Sequence, residues 1–316
     1  MRAVRYHEYG APDVLRIEEV EDPVPGEGEL LVQASATGVN YFEVQVRAGV
    51  TPDPLDQPLP RIPGIEVAGT VIAVGPGVDE RRIGERVVGT VAAGGYAELV
   101  VVPAAAAVPL DERLGEHRAL ALLGQGATAV GVIETAEIGP GDTVLVEAAG
   151  GGIGTLLVQL AKRAGARVVA GASGEAKRRV AADLGADTTV DYSRSGWTEE
   201  AGPVSVVLET VGGQTAREAY SLLTAPNARM VVFGSASGDP VEISSQQLLP
   251  VGATLIPFSL GYRPQRWPEL IRRAEELTVR GELDPVIGAI LPLSEAAAAH
   301  RAFEARTAIG KTILTL

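Results

Sequence analysis

Apolar and polar positions follow two different rhythms along this chain. Up to about residue 118 the apolar residues come in short runs, as at 29–36, 66–74, 84–91 and 96–102, and turns such as PGEGE, GPGVDE and AAGG separate them. Short strands between turn signals predict a small β-barrel or sandwich. The texture changes near Ala119. Residues 119–137 carry a helical pattern, and GPGD at 139–142 reads as a turn. Apolar strands follow at 143–149, 167–172, 188–191, 204–211, 228–235 and 253–260, with helical patterns between most of them. Parallel strands buried on both faces read as continuous apolar runs, so this rhythm predicts a doubly wound sheet. The tail predicts a helix at 268–280, a strand at 286–291, a helix at 294–306 and a strand at 311–316. It is too short for a domain of its own and is expected to complete the first. The fold class is α/β, a Rossmann-type doubly wound parallel sheet plus a β-barrel domain.

The stretch 143–178 carries the chemistry. A buried strand runs into the glycines 150–152 and Gly154, then a helix, then a second apolar strand. Gly151, Gly152 and Gly154 let the backbone turn tightly and approach a bulky anion, and the helix that starts there points free N–H groups and its positive dipole end at that anion. In this context the pattern, although a spacing variant, is a dinucleotide-binding fingerprint. The second strand ends in Ala172-Ser173-Gly174, with no acid at its tip to hold a ribose 2′-hydroxyl. Ser173, Lys177 and Arg178 suit a 2′-phosphate, whose charge cations and a hydroxyl donor solvate. The expected cofactor is NADPH rather than NADH. On its own, the basic pair 177–178 also reads as a solvated helix face.

Composition narrows the partners. The chain has 316 residues, 46% of them apolar and spread throughout, enough for two cores and against disorder. Its net charge of −13 repels nucleic acid and anionic membrane, so neither is an expected partner. There is no cysteine, which excludes disulfides, thiol catalysis and Cys-ligated metal, and makes the cytosol the default location. The start MRAVRYHEYG has no apolar signal-type segment, and no run approaches eighteen uninterrupted apolar residues.

Several further motifs stand in order: ATGVNYFEVQVRAG (36–49), IPGIEVAGTV (62–71), GGYAELVVVP (94–103), GQGATA (124–129), EAAGGGIGTLLVQLAK (147–162), VDYS (190–193), VVFGSASG (231–238) and IGKTILTL (309–316). Together they resemble the medium-chain dehydrogenase/reductase superfamily, and within it the zinc-free quinone oxidoreductase group related to zeta-crystallin. The resemblance runs nearly end to end. It implies a GroES-like catalytic domain over 1–118, completed by 262–316, and a Rossmann NADPH-binding domain over 119–261. Asn40 and Ile65 stand where the zinc-dependent branch carries Cys and His, and the histidines His7, His117 and His300 are scattered, so no metal is expected. His300, in an Ala-rich helix, reads as a packing or surface residue.

Carried over residue by residue, the resemblance implies that Thr128 approaches the nicotinamide end and that Gly151, Gly152 and Ile153 hold the diphosphate. Ser173, Lys177 and Tyr192 would surround the 2′-phosphate. Phe233, Gly234 and Ser235 would line the cofactor groove, and the segment from Phe258 to Leu260 would close over the nicotinamide. Tyr192 and Phe233 also read as core aromatics, and Thr128 as a helix residue bonding its own backbone.

Hydride transfer asks the protein to position an electron-poor acceptor and exclude water. Without a Lewis acid a simple ketone is a poor acceptor, whereas a quinone or an activated enone accepts hydride with hydrogen bonds alone. Asn40 is the candidate for orienting the acceptor or ribose, Tyr41 for donating a proton or hydrogen bond, and Glu43 for orienting either. Tyr41 reads equally as a packed aromatic. Relatives often carry tyrosines where this chain has Gln45 and Thr51, and a threonine cannot replace an acid. The expectation is an NADPH-dependent quinone or enone reductase. An enoyl-thioester reductase of a biosynthetic pathway and a non-catalytic NADPH-binding protein stay open. The apolar edge strand at 253–260 predicts a homodimer, as the resemblance also implies.

Overall fold

A computed structural model describes residues 1–51, 58–224, 227–262 and 264–316. It contains two compact units, Met1–Leu123 with Val286–Leu316, and Gly124–Pro285.

In the first unit β1 (Arg2–Arg5) pairs antiparallel with β2 (Arg16–Glu19). There follow β3 (Glu29–Val39), α1 (Tyr41–Ala48), β4 (Glu66–Val74), β5 (Arg86–Thr90), β6 (Leu99–Pro103), β7 (Ala107–Pro109) and α2 (Glu116–Ala121). β3 organises this unit. It pairs with β4 through two register shifts, which bend it, and with β6 along its first half. Valines at 32, 67, 71, 87, 100 and 102 pack with Leu30 as the barrel core. The expected strand 29–36 runs on to Val39, because its last residues pair with a strand from the far end of the chain. The expected strand 96–102 starts only at Leu99. Tyr96 instead donates its N–H to Pro63 O and is fully buried.

The chain then makes a π-helical turn, Leu122–Gly126, before α3 (Ala127–Ala136), so the expected helix 119–137 is interrupted. By length and composition the helical run Glu116–Ala136 could cross a membrane, yet 67% of its most apolar stretch is buried within the protein, as in a core helix.

The second unit continues with β8 (Thr143–Val146), α4 (Gly152–Arg163), β9 (Arg167–Gly171), α5 (Glu175–Asp183), β10 (Thr188–Val190), α6 (Trp197–Ala201), β11 (Val206–Glu209), α7 (Gly213–Ser221), β12 (Arg229–Val232), α8 (Ser245–Val251), β13 (Thr254–Pro257) and α9 (Trp267–Val279). Its strands form one parallel sheet in the order β10-β9-β8-β11-β12-β13. The order reverses between β8 and β11, which opens a crevice at their carboxyl ends. All six expected strands are present but shorter. β8 stops at Val146 because Ala148 turns the chain with φ +48°.

The chain returns to the first unit as β14 (Ile287–Pro292), α10 (Ala296–Glu304) and β15 (Lys311–Thr315). β15 pairs antiparallel with the end of β3 and parallel with β14. The tail therefore completes the first unit from Val286 onward, and not from residue 262 as expected. α9 stays with the second unit because it packs on α3 and Glu134 bonds both Arg266 and Arg273. The other end of the second unit likewise falls at Gly124 rather than at residue 119.

Candidate functional site

In the second unit the glycine turn sits at the crevice. Gly151 N–H donates to Ala148 O at 2.8 Å, and α4 begins at Gly152 with no side-chain cap. The amides of the first helical turn thus have no partner within the helix. A Cβ at Gly154 would overlap Ala148 O, and one at Gly152 would overlap the Gln125 side chain. Gln125 Oε1 and Ser235 Oγ are buried without a hydrogen-bond partner among the described residues. Free amides, a positive dipole end and two orphaned polar side chains fit the anionic, hydroxyl-rich body of a dinucleotide. Gln125 received no role from sequence. Its signal was there, in the GQGATA motif, but only the fold brings it onto Gly152.

At the end of β9, Ser173 is half-buried and Gly174 turns with φ +83° into α5. The stem of Lys177 packs over Gly150, where a Cβ would come within 2.7 Å of its Cγ. The Tyr192 ring lies on Gly171, at 3.0 Å from the Cβ position. Arg178 pairs with Asp191 at 3.4 Å. Lys177 thus stands beside the glycine turn and Tyr192 beside the β9 tip.

At the end of β12, Phe233 N–H donates to Glu209 O at 3.0 Å, and Gly234 leaves room for the Thr210 side chain. Thr128 is half-buried on α3. Phe258 points inward: its ring occupies the space over Gly131 and is only 6% exposed, while Leu260 is half-buried. Phe258 therefore packs beneath the segment rather than presenting a face.

The first unit carries a separate polar cluster around α1. Asn40 precedes the helix and gives both its N–H and its Nδ2 to the Glu43 carboxylate, each at 3.2 Å. Ile65 N–H adds a bond at 3.1 Å and the Tyr96 hydroxyl another at 2.6 Å. Burial nonetheless pushes the Glu43 carboxyl up to about 7, against the pull of Tyr96, Lys311 and Asn40. His300 Nε2 lies 3.3 Å from the Tyr96 hydroxyl, and burial, with Arg47 nearby, drives it down to about 3, so the ring is neutral. His300 is thus a fully buried network residue, not a surface one. Lys311 Nζ donates to Glu66 Oε2 at 2.6 Å and to Asn40 Oδ1 at 2.9 Å. Asn40 is the half-exposed member that joins the two buried arms.

Tyr41 packs against Phe303, with ring centroids 6.3 Å apart and planes tilted by 30°, and is half-buried. Glu66, Tyr96, His300 and Lys311 were missed from sequence as parts of this cluster. The available signal was a lone charge at one end of an apolar strand, as in GIEVAGTV and GKTILTL. Among the described residues no group of three metal-ligating side chains comes together.

Two family descriptions match the chain. "Alcohol dehydrogenase GroES-like domain" covers residues 26–112 and "Zinc-binding dehydrogenase" covers 152–276. A 2-haloacrylate reductase from a Burkholderia species is 32% identical over 98% of this chain and 97% of its own. A "probable quinone oxidoreductase" of Schizosaccharomyces pombe is 33% identical over 98% and 96%. A mycobacterial protein solved in complex with NADPH superposes with a TM-score of 0.91 at 32% identity, covering 100% of both chains.

Proposed function

The chain belongs to the medium-chain dehydrogenase/reductase superfamily, and we propose that it is an NADPH-dependent reductase of quinones or activated enones that works without zinc. The observation that carries this reading is the turn at 148–154, set at the carboxyl ends of the central strands with Gln125 and Ser235 unsatisfied beside it. NADPH supplies the hydride. The residues of this chain hold and orient it: Gly151, Gly152 and Ile153 at the diphosphate, Ser173, Lys177 and Tyr192 at the 2′-phosphate, and Phe233, Gly234, Ser235 and Thr128 toward the nicotinamide. Leu260 closes the end of that groove, and the buried Phe258 supports it.

In the first unit Asn40, Tyr41 and Glu43 serve the acceptor. Glu43, its carboxyl raised to about 7 by burial, anchors Asn40 through two bonds, and Tyr41 offers a hydroxyl. Zinc-free chemistry is supported by Asn40 and Ile65 at the positions of the metal ligands and by a chain without cysteine. An acceptor activated by its own conjugation suits that setting. The cysteine-free composition also supports a cytosolic location.

The test is NADPH oxidation, followed at the nicotinamide absorbance band, with a panel of quinones and small enones. Turnover with at least one is expected, and none with any would defeat the reading. In the same assay Lys177→Ala is expected to raise the KM for NADPH about tenfold, near 1.4 kcal/mol, and to leave NADH almost unaffected. Equal losses with both coenzymes would remove Lys177 from the 2′-phosphate.

The protein is further read as a homodimer formed through β13. This strand closes one edge of the sheet, its Leu255 and Ile256 are half-exposed, and Leu249 on the preceding α8 is 81% exposed. Open edges of this kind pair or are covered. Light scattering should give twice the chain mass, and a monomer mass would contradict the assignment.

A further inference from the structure

Two glutamates lie under the crevice with no assigned task. Glu147 and Glu209 follow directly on the paired residues Val146 and Leu208, so they stand opposite each other on adjacent parallel strands. Both are fully buried. Together they hold three consecutive amides: Glu147 Oε2 accepts from Thr210 at 3.3 Å and Val211 at 3.2 Å, and Glu209 Oε1 accepts from Gly212. Each has one oxygen left over, Glu147 Oε1 and Glu209 Oε2, buried and without a partner among the described residues. A buried oxygen without a bond is costly, and two buried carboxylates side by side cost more. A proton taken up on either leftover oxygen removes one of the two buried charges.

The turn they hold supports the next segment. Thr210 O accepts from Ala236 N–H at 2.9 Å and Val211 O from Ser237 N–H at 2.8 Å, while Gly212 lies against the Ser235 hydroxyl. The charge acting on Glu147 is that of Glu209, and the groups that pull the two carboxyls back down are the amides of 210–212. We infer that Glu147 and Glu209 form a one-proton positioning pair that sets the 210–212 turn, and through it the Phe233–Ser237 edge, so that NADPH is held tightly only while that proton is present. This rests on the reading of Phe233–Ser235 as cofactor-lining. Loss of the proton leaves two facing anions under a groove that receives an anionic cofactor, and their repulsion pushes the turn out of place.

Burial raises Glu147 to about 8 and Glu209 to about 7. The native state therefore holds more protons than the unfolded chain between ordinary carboxylate values and about pH 8. The pair's contribution to stability is complete below that window and is lost as pH rises through it.

The pair is tested by titrating the protein with NADPH, read by fluorescence, between pH 7 and 9.5. Dissociation constants of the wild type are expected to rise about tenfold over this range. Glu147→Gln carries its own N–H donor toward Glu209, mimics the protonated pair, and is expected to bind within twofold of the wild type at pH 7 and to change less than twofold at pH 9.5. Glu209→Gln is the second variant, with the same expectation, should the first fail to fold. A flat wild-type profile, or a variant as steep as the wild type, overturns the proposal. Melting of the cofactor-free protein from pH 5 to 9 shows which part failed. A wild-type melting temperature that falls with pH more steeply than the variant's supports the proton on the pair, so a flat binding profile beside it would fault the cofactor-lining assignment instead.

Discussion

Lys311→Met is expected to destabilise the protein by about 3–5 kcal/mol, the usual cost of leaving one partner of a buried ion pair unmatched. The Lys311 side chain is completely buried, Glu66 is 2% exposed, and Nζ and Oε2 are 2.6 Å apart. Methionine fills similar volume, so the loss reports charge rather than a cavity. The variant leaves the Glu66 carboxylate without its Lys311 partner and takes the Lys311 donor away from Asn40 Oδ1. A melting temperature lower by roughly 10 °C follows from a change of this size. The double variant Lys311→Met/Glu66→Gln removes both charges and is expected to regain most of the loss. Single and double variants melting alike would show that the pair does not couple. Because Asn40 is the half-exposed end of this network, the single variant should also weaken acceptor turnover more than NADPH binding.

Gly154→Ala carries the second large effect. Its Cβ would overlap Ala148 O and lie 2.7 Å from Ala149 Cα, both backbone atoms that cannot swing aside. Overpacking of this kind costs about 1–3 kcal/mol. The larger consequence is for the cofactor, since α4 must back away from the turn that its first amides complete. NADPH affinity is expected to fall roughly 100-fold, near 3 kcal/mol. Gly139→Ala is the control, because a Cβ there meets nothing within 4 Å. Calorimetry on both variants checks the pair of outcomes. Undiminished NADPH binding by Gly154→Ala would mean that close approach of helix and strand is not what the glycine serves.

Much of this was legible in one dimension because it is local. Strand β4 is found at its expected bounds, and the parallel strands are all present, since apolar runs between turn signals are short-range patterns. Their ends were overrun because single-residue turns stop them, as at Ala148, where nothing in an alanine announces a positive φ. The glycine turn was legible for the opposite reason: close approach of backbone demands glycine whatever surrounds it. The Phe258 side chain was misjudged because an aromatic at a strand end can face a groove or a core. Gly131, more than a hundred residues away, decides that it faces the core.

By itself the sequence determined the α/β class, the two-part organisation and the glycine turn after the first parallel strand. Each of these depends on residue types at short spacing. The tertiary structure alone decided which buried charges meet. Lys311 reaches Glu66 across 245 positions, Tyr96 reaches His300 across 204, and Glu147 stands opposite Glu209 through the register of two strands. It likewise decided that α9 stays with the parallel-sheet unit while the last strand joins β3 in the first unit. Burial, charge pairing and strand register are set by whatever the folded chain brings alongside, and no local periodicity encodes the neighbour.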